Sequence, residues 1–321
     1  MNIPRLLLAL IACTVCTVSF GQAWPSNPIR LVVPFPPGGG TDIIAREVTQ
    51  KITEATKWSF IVDNKPGSGG GIGLDNVAKS PADGYNLVLG QTSNLTINPS
   101  LYKKLPYDPV KDLTPISMVA SSPMVLAVST NSPYKTLADL VSAAKAQPGT
   151  INFATSGNGT VGHLMMEMFQ KEAGIKLVHV PYKGATMGIT DVIGGRVEIY
   201  VASVTTVTGH IKNAKLRALA VTSLKRTDDL PQTPTVAESG YKGFEAVTWF
   251  GILGPAKLSK EIVVKLNAEI NKALRNPALL KKLSEQGADV AGSTPDQFAK
   301  FIRDEMSKWD KAVKESGATI D

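Results

Sequence analysis

The side chains usually recruited for metal or nucleophilic chemistry are scarce, with three histidines and two cysteines among 321 residues. His163 and Glu167 stand one helical turn apart, a spacing that would put two metal ligands on one helix face, but one such pair is common by chance. No Gly-x-Ser-x-Gly elbow occurs, and no Gly-Lys dipeptide exists to build a phosphate-binding Walker loop. Cys13 and Cys16 both fall in an N-terminal leader, which removes cysteine catalysis from the mature chain. No metal, cofactor or catalytic role is expected.

The polar loops carry more. Gly157-Asn158-Gly159-Thr160-Val161-Gly162 satisfies G-x-G-x-x-G, follows a predicted strand and opens a predicted helix. The next strand, Leu177–Val180, runs into Pro181-Tyr182-Lys183 and offers no acid for a ribose hydroxyl, which argues against a dinucleotide. The loop physics survives without the nucleotide. Glycine N–H groups at a helix N-terminus face a partial positive charge that favours an anion, and Thr155, Ser156 and Thr160 add hydroxyls. A carboxylate suits such a loop as well as a phosphate. The alternative is a strand–helix turn whose hydroxyls only cap the helix. Two further junctions share this character. Phe35–Asp42 brings a glycine triplet to a helix start, with Asp42 doubling as a candidate N-cap, and Gln91-Thr92-Ser93-Asn94 follows the strand at 86–90. Gly67–Gly73 reads as a surface turn. Together the three junctions favour small-anion binding.

These loops need a frame, and the alternation of short apolar runs with helical patterns predicts an α/β architecture. Strands are expected at 29–33, 60–62, 86–90, 124–129, 151–154, 177–180, 197–201 and 217–221. Helices are expected at 136–147, 162–173, 184–193, 204–213, 261–275 and 295–314, besides the one in which Ile44, Val48 and Ile52 repeat every four residues. No linker separates two halves, which fits two lobes joined by crossing strands at 118–129 and 219–224. Residues 24–123 with 224–321 should form one lobe and 124–223 the other. Ligands would sit between them, at the carboxyl ends of strands.

Residues 1–23 read as a secretory leader, with Arg5 ahead of the uncharged Leu6–Val18 and a cleavage site Gly21-Gln22-Ala23. Cleavage after Ala23 would give an exported, periplasmic protein; the alternative is a lipobox, Leu10-Ile11-Ala12-Cys13, with Cys13 lipidated. A net charge of +7 comes from scattered basic residues rather than a stripe, so nucleic acid is not an expected partner.

Several segments, in order, closely resemble the extracytoplasmic solute receptors of tripartite tricarboxylate transporters, the Bug family. They include Pro28-Ile29-Arg30-Leu31-Val32-Val33-Pro34-Phe35, Pro36-Pro37-Gly38-Gly39-Gly40-Thr41-Asp42, Ala82-Asp83-Gly84-Tyr85, Ser156-Gly157-Asn158-Gly159-Thr160, Val180-Pro181-Tyr182-Lys183-Gly184 and Trp249-Phe250-Gly251. The resemblance spans essentially the whole mature chain. It implies a periplasmic-binding-protein type II-like fold, two α/β lobes closing on one ligand, and no enzyme activity or cofactor. It further implies a small carboxylate ligand, delivery to membrane permease subunits, and a monomer; a sensory protein for the same solutes is the alternative. Carried over by motif, one lobe supplies Phe35, Gly39, Gly40, Thr41, Asp42, Thr92 and Ser93. The other supplies Thr155, Ser156, Gly159, Thr160, Lys183, Gly184 and, as a hydroxyl or a helix cap, Ser203. Where many relatives place an acid this chain has Ala202, which points to a ligand without an ammonium group.

Overall fold

The run Ile29–Val33 forms strand β1, buried except at Arg30. A strand apolar on both faces must be covered on both, and β1 pairs in parallel with β2 (Phe60–Asn64) and β3 (Asn86–Gln91) at the heart of a sheet. The computed structural model describes residues 24–320; the leader expected at residues 1–23, with Cys13, lies outside the described residues.

From β3 the sheet continues antiparallel to β9 (Val247–Pro255) and then to β4 (Leu113–Ser129), a strand of 17 residues. Along its first part β4 lies against β9, with the two-residue β10 (Asp289–Val290) paired at Ala120 and Ser121. From Met124 onward its partners are β7 (Ile199–Ser203) and β8 (Leu216–Val221), and β5 (Asn152–Thr155) and β6 (Val178–Pro181) extend this second group in parallel. One strand thus serves two lobes and exchanges its partners at Pro123 and Met124. Thr222, fully buried, ties this crossing together: its hydroxyl accepts from Met124 N–H and donates to the Ala246 carbonyl.

The helices are α1 (Gly40–Thr56), α2 (Gly71–Ala78), α3 (Asn98–Leu101), α4 (Leu137–Ala146), α5 (Val161–Ala173), α6 (Ala185–Ile193), α7 (Val204–Lys212), α8 (Lys260–Leu274), α9 (Pro277–Ser284) and α10 (Pro295–Ser316). The predicted stripe Ile44, Val48 and Ile52 of α1 is buried against β1 and α8, in a core that includes Leu31, Leu266 and Ile270. A second core gathers Phe153, Leu164, Phe169 and Val201.

Helix α10 belongs to both lobes. Its start, through Phe298 and Ile302, packs with Trp249 and Leu253. Its end, through Trp309, Ala312 and Val313, joins the core of Phe153 and Phe169. Glu305, between these two patches, accepts hydrogen bonds from the indoles of both Trp249 and Trp309, each at 3.0 Å. Among the described residues no helix is long and apolar enough to cross a membrane.

Candidate ligand-binding site

Four helices begin at the gap between the lobes, one after β1 and three after β5, β6 and β7. The first residues of each line a common cavity: Gly40 and Thr41 of α1, Val161 and Gly162 of α5, Ala185 of α6, and Ser203 with Thr206 at α7. The sheets contribute Gln91, Met124, Tyr200, Ala202, Thr248 and Phe250, and the loops add Phe35, Gly39, Ser156 and Thr160. The cavity volume is about 50 Å³, enough for a few water-sized spheres.

Among the described residues no acid or base other than the Tyr200 phenol lines it. Its field is therefore set by backbone dipoles, about half a positive charge at each helix N-terminus. On α1, α6 and α7 no N-cap side chain accepts an end N–H, since Gly39, Gly184 and Ser203 make no cap hydrogen bond. Four positive helix ends around a neutral cavity form a site for an anion that can accept hydrogen bonds. Thr248 Oγ1 is buried without a hydrogen-bond partner, a hydroxyl free to donate into that space.

Of the residues expected from sequence, Phe35, Gly39, Gly40, Thr41, Ser156, Thr160 and Ser203 line the cavity. The others lie behind it or beside it. Asp42 accepts from Gly38 N–H, from the Arg46 guanidinium and from Asn64 Nδ2 at 2.9–3.0 Å, so both carboxylate oxygens are engaged. Burial pushes its pKa up, but Arg46, Gly38 and Asn64 outweigh that and hold it below the usual carboxylate range. Asp42 fixes the glycine triplet rather than facing the cavity. Thr92 Oγ1 accepts from Trp249 N–H, and Ser93 Oγ accepts from Gln91 Nε2, so this pair positions β9 and the cavity-lining Gln91. Lys183 and Gly184 border an adjoining outer groove.

The loop of the other lobe is backed by rings. Phe153, His179 and His163 stack at 4.8 and 4.3 Å between centroids. His179 Nε2 pairs with Thr155 Oγ1 at 2.7 Å, and His163 Nδ1 accepts from Gly159 N–H at 3.4 Å. Burial lowers the His163 pKa to about 4; burial and the neighbouring His163 lower that of His179 to about 3. Both rings are neutral near pH 7, and His163 serves packing and loop support. Thr160 Oγ1 donates to the Gly157 carbonyl at 2.8 Å and accepts from His163 N–H, which makes it the N-cap of α5. Gly159, at φ +74°, lets the loop approach the opposite lobe: a Cβ there would stand 3.0 Å from Asn98 Oδ1 and 3.3 Å from Leu101.

The two lobes touch across the cleft. Gly40 N–H donates to Thr206 Oγ1 at 3.1 Å, and a Cβ on Gly40 would lie 2.8 Å from Ser203 Oγ. Sequence reasoning placed Gln91 in a recognised junction without naming it a site residue, and missed Thr206, Thr248, Met124, Tyr200 and Phe250. Thr206 stands three residues after Ser203, so a local signal was present there. The others come from strands whose pairing no local pattern reveals.

The model of the tripartite tricarboxylate transporter family receptor matches residues 44–318. The chain belongs to this family. Its members are periplasmic solute receptors, not enzymes. The receptor is 38% identical to Protein BugT of Bordetella pertussis over the full length of both chains. Among solved structures it resembles an R. palustris protein with adipate (34% identity, TM-score 0.90, covering 92% of this chain and 100% of that one). It also resembles MatC from Rhodopseudomonas palustris with bound malate (27% identity, TM-score 0.85, covering 90% and 99%).

Proposed function

We propose that this receptor captures a small organic carboxylate between lobes formed by residues 24–123 with 224–321 and by 124–223, and delivers it to the membrane subunits of a tripartite tricarboxylate-type permease. The observation that carries this reading is the cavity itself, lined by the starts of four helices and by no charged side chain. A metal or nucleotide site would need acids or a run of cations. An ionised carboxylate needs only oriented donors, and the helix ends supply them. In this reading Gly39, Gly40, Thr41, Ser156, Ser203 and Thr248 surround the carboxylate, Phe35 covers it, and Asp42, Thr92, Ser93 and Thr155 hold the loops in place. The protein acts as an exported monomer after cleavage behind Ala23.

Relatives solved with adipate and malate support the ligand class. A thermal-shift screen of mature protein against mono- and dicarboxylates tests it. A cognate acid at about 100 times its Kd stabilises by about 2.7 kcal/mol. Its methyl ester, which lacks the charge, should bind at least roughly tenfold more weakly, or by about 1.4 kcal/mol. Equal affinity for acid and ester would end the carboxylate reading.

A further inference from the structure

The indoles of Trp249 and Trp309 are buried, and a buried indole N–H needs an acceptor. Both turn to one atom, Oε2 of Glu305, at 3.0 Å each. The two bonds differ in kind. Glu305 and Trp309 stand one turn apart on α10, so their bond lies within one helix and travels with it. Trp249 belongs to β9, so its bond joins helix to sheet. The other oxygen, Oε1, lies 3.4 Å from the Lys308 ammonium, and the side chain is only 12% exposed. Trp309 thus aims the carboxylate, and Trp249 meets it. On the sheet side, successive side chains of β9 point to opposite faces. Thr248 and Phe250 line the ligand cavity, while the Trp249 ring between them points back to α10, edge-on to Phe298 and Phe301 at 5.8 and 5.2 Å. The Trp249 N–H donates to Thr92 Oγ1, next to the cavity-lining Gln91. Glu305 itself lines no part of the cavity, yet one of its oxygens braces the floor strand from the opposite face.

We propose that Glu305 is a positioning residue for solute capture: held by Trp309, it fixes the Trp249 indole and through it the placing of Thr248 and Phe250 in the cavity floor. This rests on the carboxylate-receptor reading and adds to it a residue outside the cleft. Trp309 belongs to the core of the second lobe and Trp249 to that of the first, so the same oxygen also joins the lobes behind the floor. A shift of the floor on binding is thereby passed to both indoles. A carboxylate suits this task better than an amide, since a charged acceptor makes hydrogen bonds roughly twice as strong as a neutral one.

Calorimetric titration with a panel of mono- and dicarboxylates, adipate and malate among them, tests this on the native protein and its variants. Glu305→Gln keeps the shape and loses the charge, and it should weaken affinity by roughly threefold or more. Glu305→Leu removes the acceptor and should weaken it by roughly tenfold or more. In the Trp249→Phe background the ring stays and its donor is gone. There Glu305→Gln should change affinity by less than about twofold, because the bond it weakens no longer exists. A saturating acid should move the indole N–H resonances of both Trp249 and Trp309 in the native protein, and Glu305→Leu should leave that of Trp309 unmoved. Circular dichroism shows whether each variant is folded; if Glu305→Leu does not fold, Glu305→Gln and the Trp249→Phe cycle carry the test. Native affinity in Glu305→Gln and Glu305→Leu alike, or equal losses from Glu305→Gln with and without the Trp249 indole, would overturn the proposal and leave the carboxylate receptor standing. Binding of none of these acids by the native protein would remove both.

Discussion

Two loops that line the cavity, 36–41 from one lobe and 156–160 from the other, present the same kind of glycine-rich helix start on different supports. The first is held by an ionic device: Asp42 gathers Arg46, Asn64 and Gly38 N–H around one carboxylate. The second is held by a neutral one, two stacked imidazoles that bind Thr155 and Gly159. Both keep fixed charge out of the cavity, so the field there is left to the backbone. They differ in what acid does to them, and that difference can be measured.

The largest effect is expected from the imidazoles. Their pKa values fall from an ordinary 6.5 to about 4 and about 3 in the folded chain. The unfolded chain therefore takes up protons first as pH drops. Stability should be full above pH 6.5 and decline below it, each histidine contributing a slope of up to about 1.4 kcal/mol per pH unit until its folded pKa is reached. Chemical denaturation between pH 7 and pH 4 should show the decline, and His163→Phe, which keeps the stack, should flatten it. An unchanged slope in that variant would mean that other groups govern acid sensitivity.

Contact between the lobes comes next. Gly40→Val places atoms against Ser203 and Thr206 of the opposite lobe, at a position whose backbone accepts any residue. Overpacking of about 1–3 kcal/mol should fall on the closed state and reduce ligand affinity by roughly 5- to 150-fold. Denaturation midpoints without ligand should move far less. An unaffected Kd would show that the ligand binds without this contact.

The ionic support is expected to matter for stability by about 1.5–3 kcal/mol, the range for hydrogen bonds to a charged group. Asp42→Asn should incur that loss at pH 7. Because the folded pKa of Asp42 is lowered, its contribution is present above the ordinary value of 3.8 and disappears as pH falls through the folded value. The difference between variant and parent should therefore shrink in strong acid, from the lower end of the pH range in which the imidazoles act and below it. A constant difference would reduce Asp42 to a packing role.

The smallest effect separates hydroxyl from backbone. The one hydroxyl proton of Thr160 goes to the Gly157 carbonyl. Thr160→Ala should cost about 1 kcal/mol of stability as a lost N-cap. Affinity in calorimetry should change by less than about threefold, which is about 0.6 kcal/mol. A larger loss of affinity would make the hydroxyl itself a ligand donor.

Both loops were legible in the sequence because glycine clusters next to a helix pattern have a local physical meaning. So was the burial of Ile44, Val48 and Ile52. The start of β4, before the crossing strand expected from 118, was not: Pro115 interrupts its apolar pattern, and only pairing to β9 reveals it as a strand. The floor of the site was hidden for the same reason. Thr248 stands opposite Ser122, and Phe250 opposite Ala120, through a register set by residues more than a hundred positions apart. Asp42, Thr92, Ser93 and Thr155 belong to loops that the sequence singled out, yet composition could not tell a residue that faces the cavity from one that braces it.

A helix of 22 residues is a rod about 33 Å long, and it does not stretch. Since α10 is fastened near one end by Phe298 and Ile302 and near the other by Trp309 and Val313, it works as a stay across a pair of doors. The lobes can swing only as far as that rod tilts or its last turn peels away. The C-terminal helix, which lines neither the inner cavity nor the outer groove, thereby bears on how far the two lobes can part.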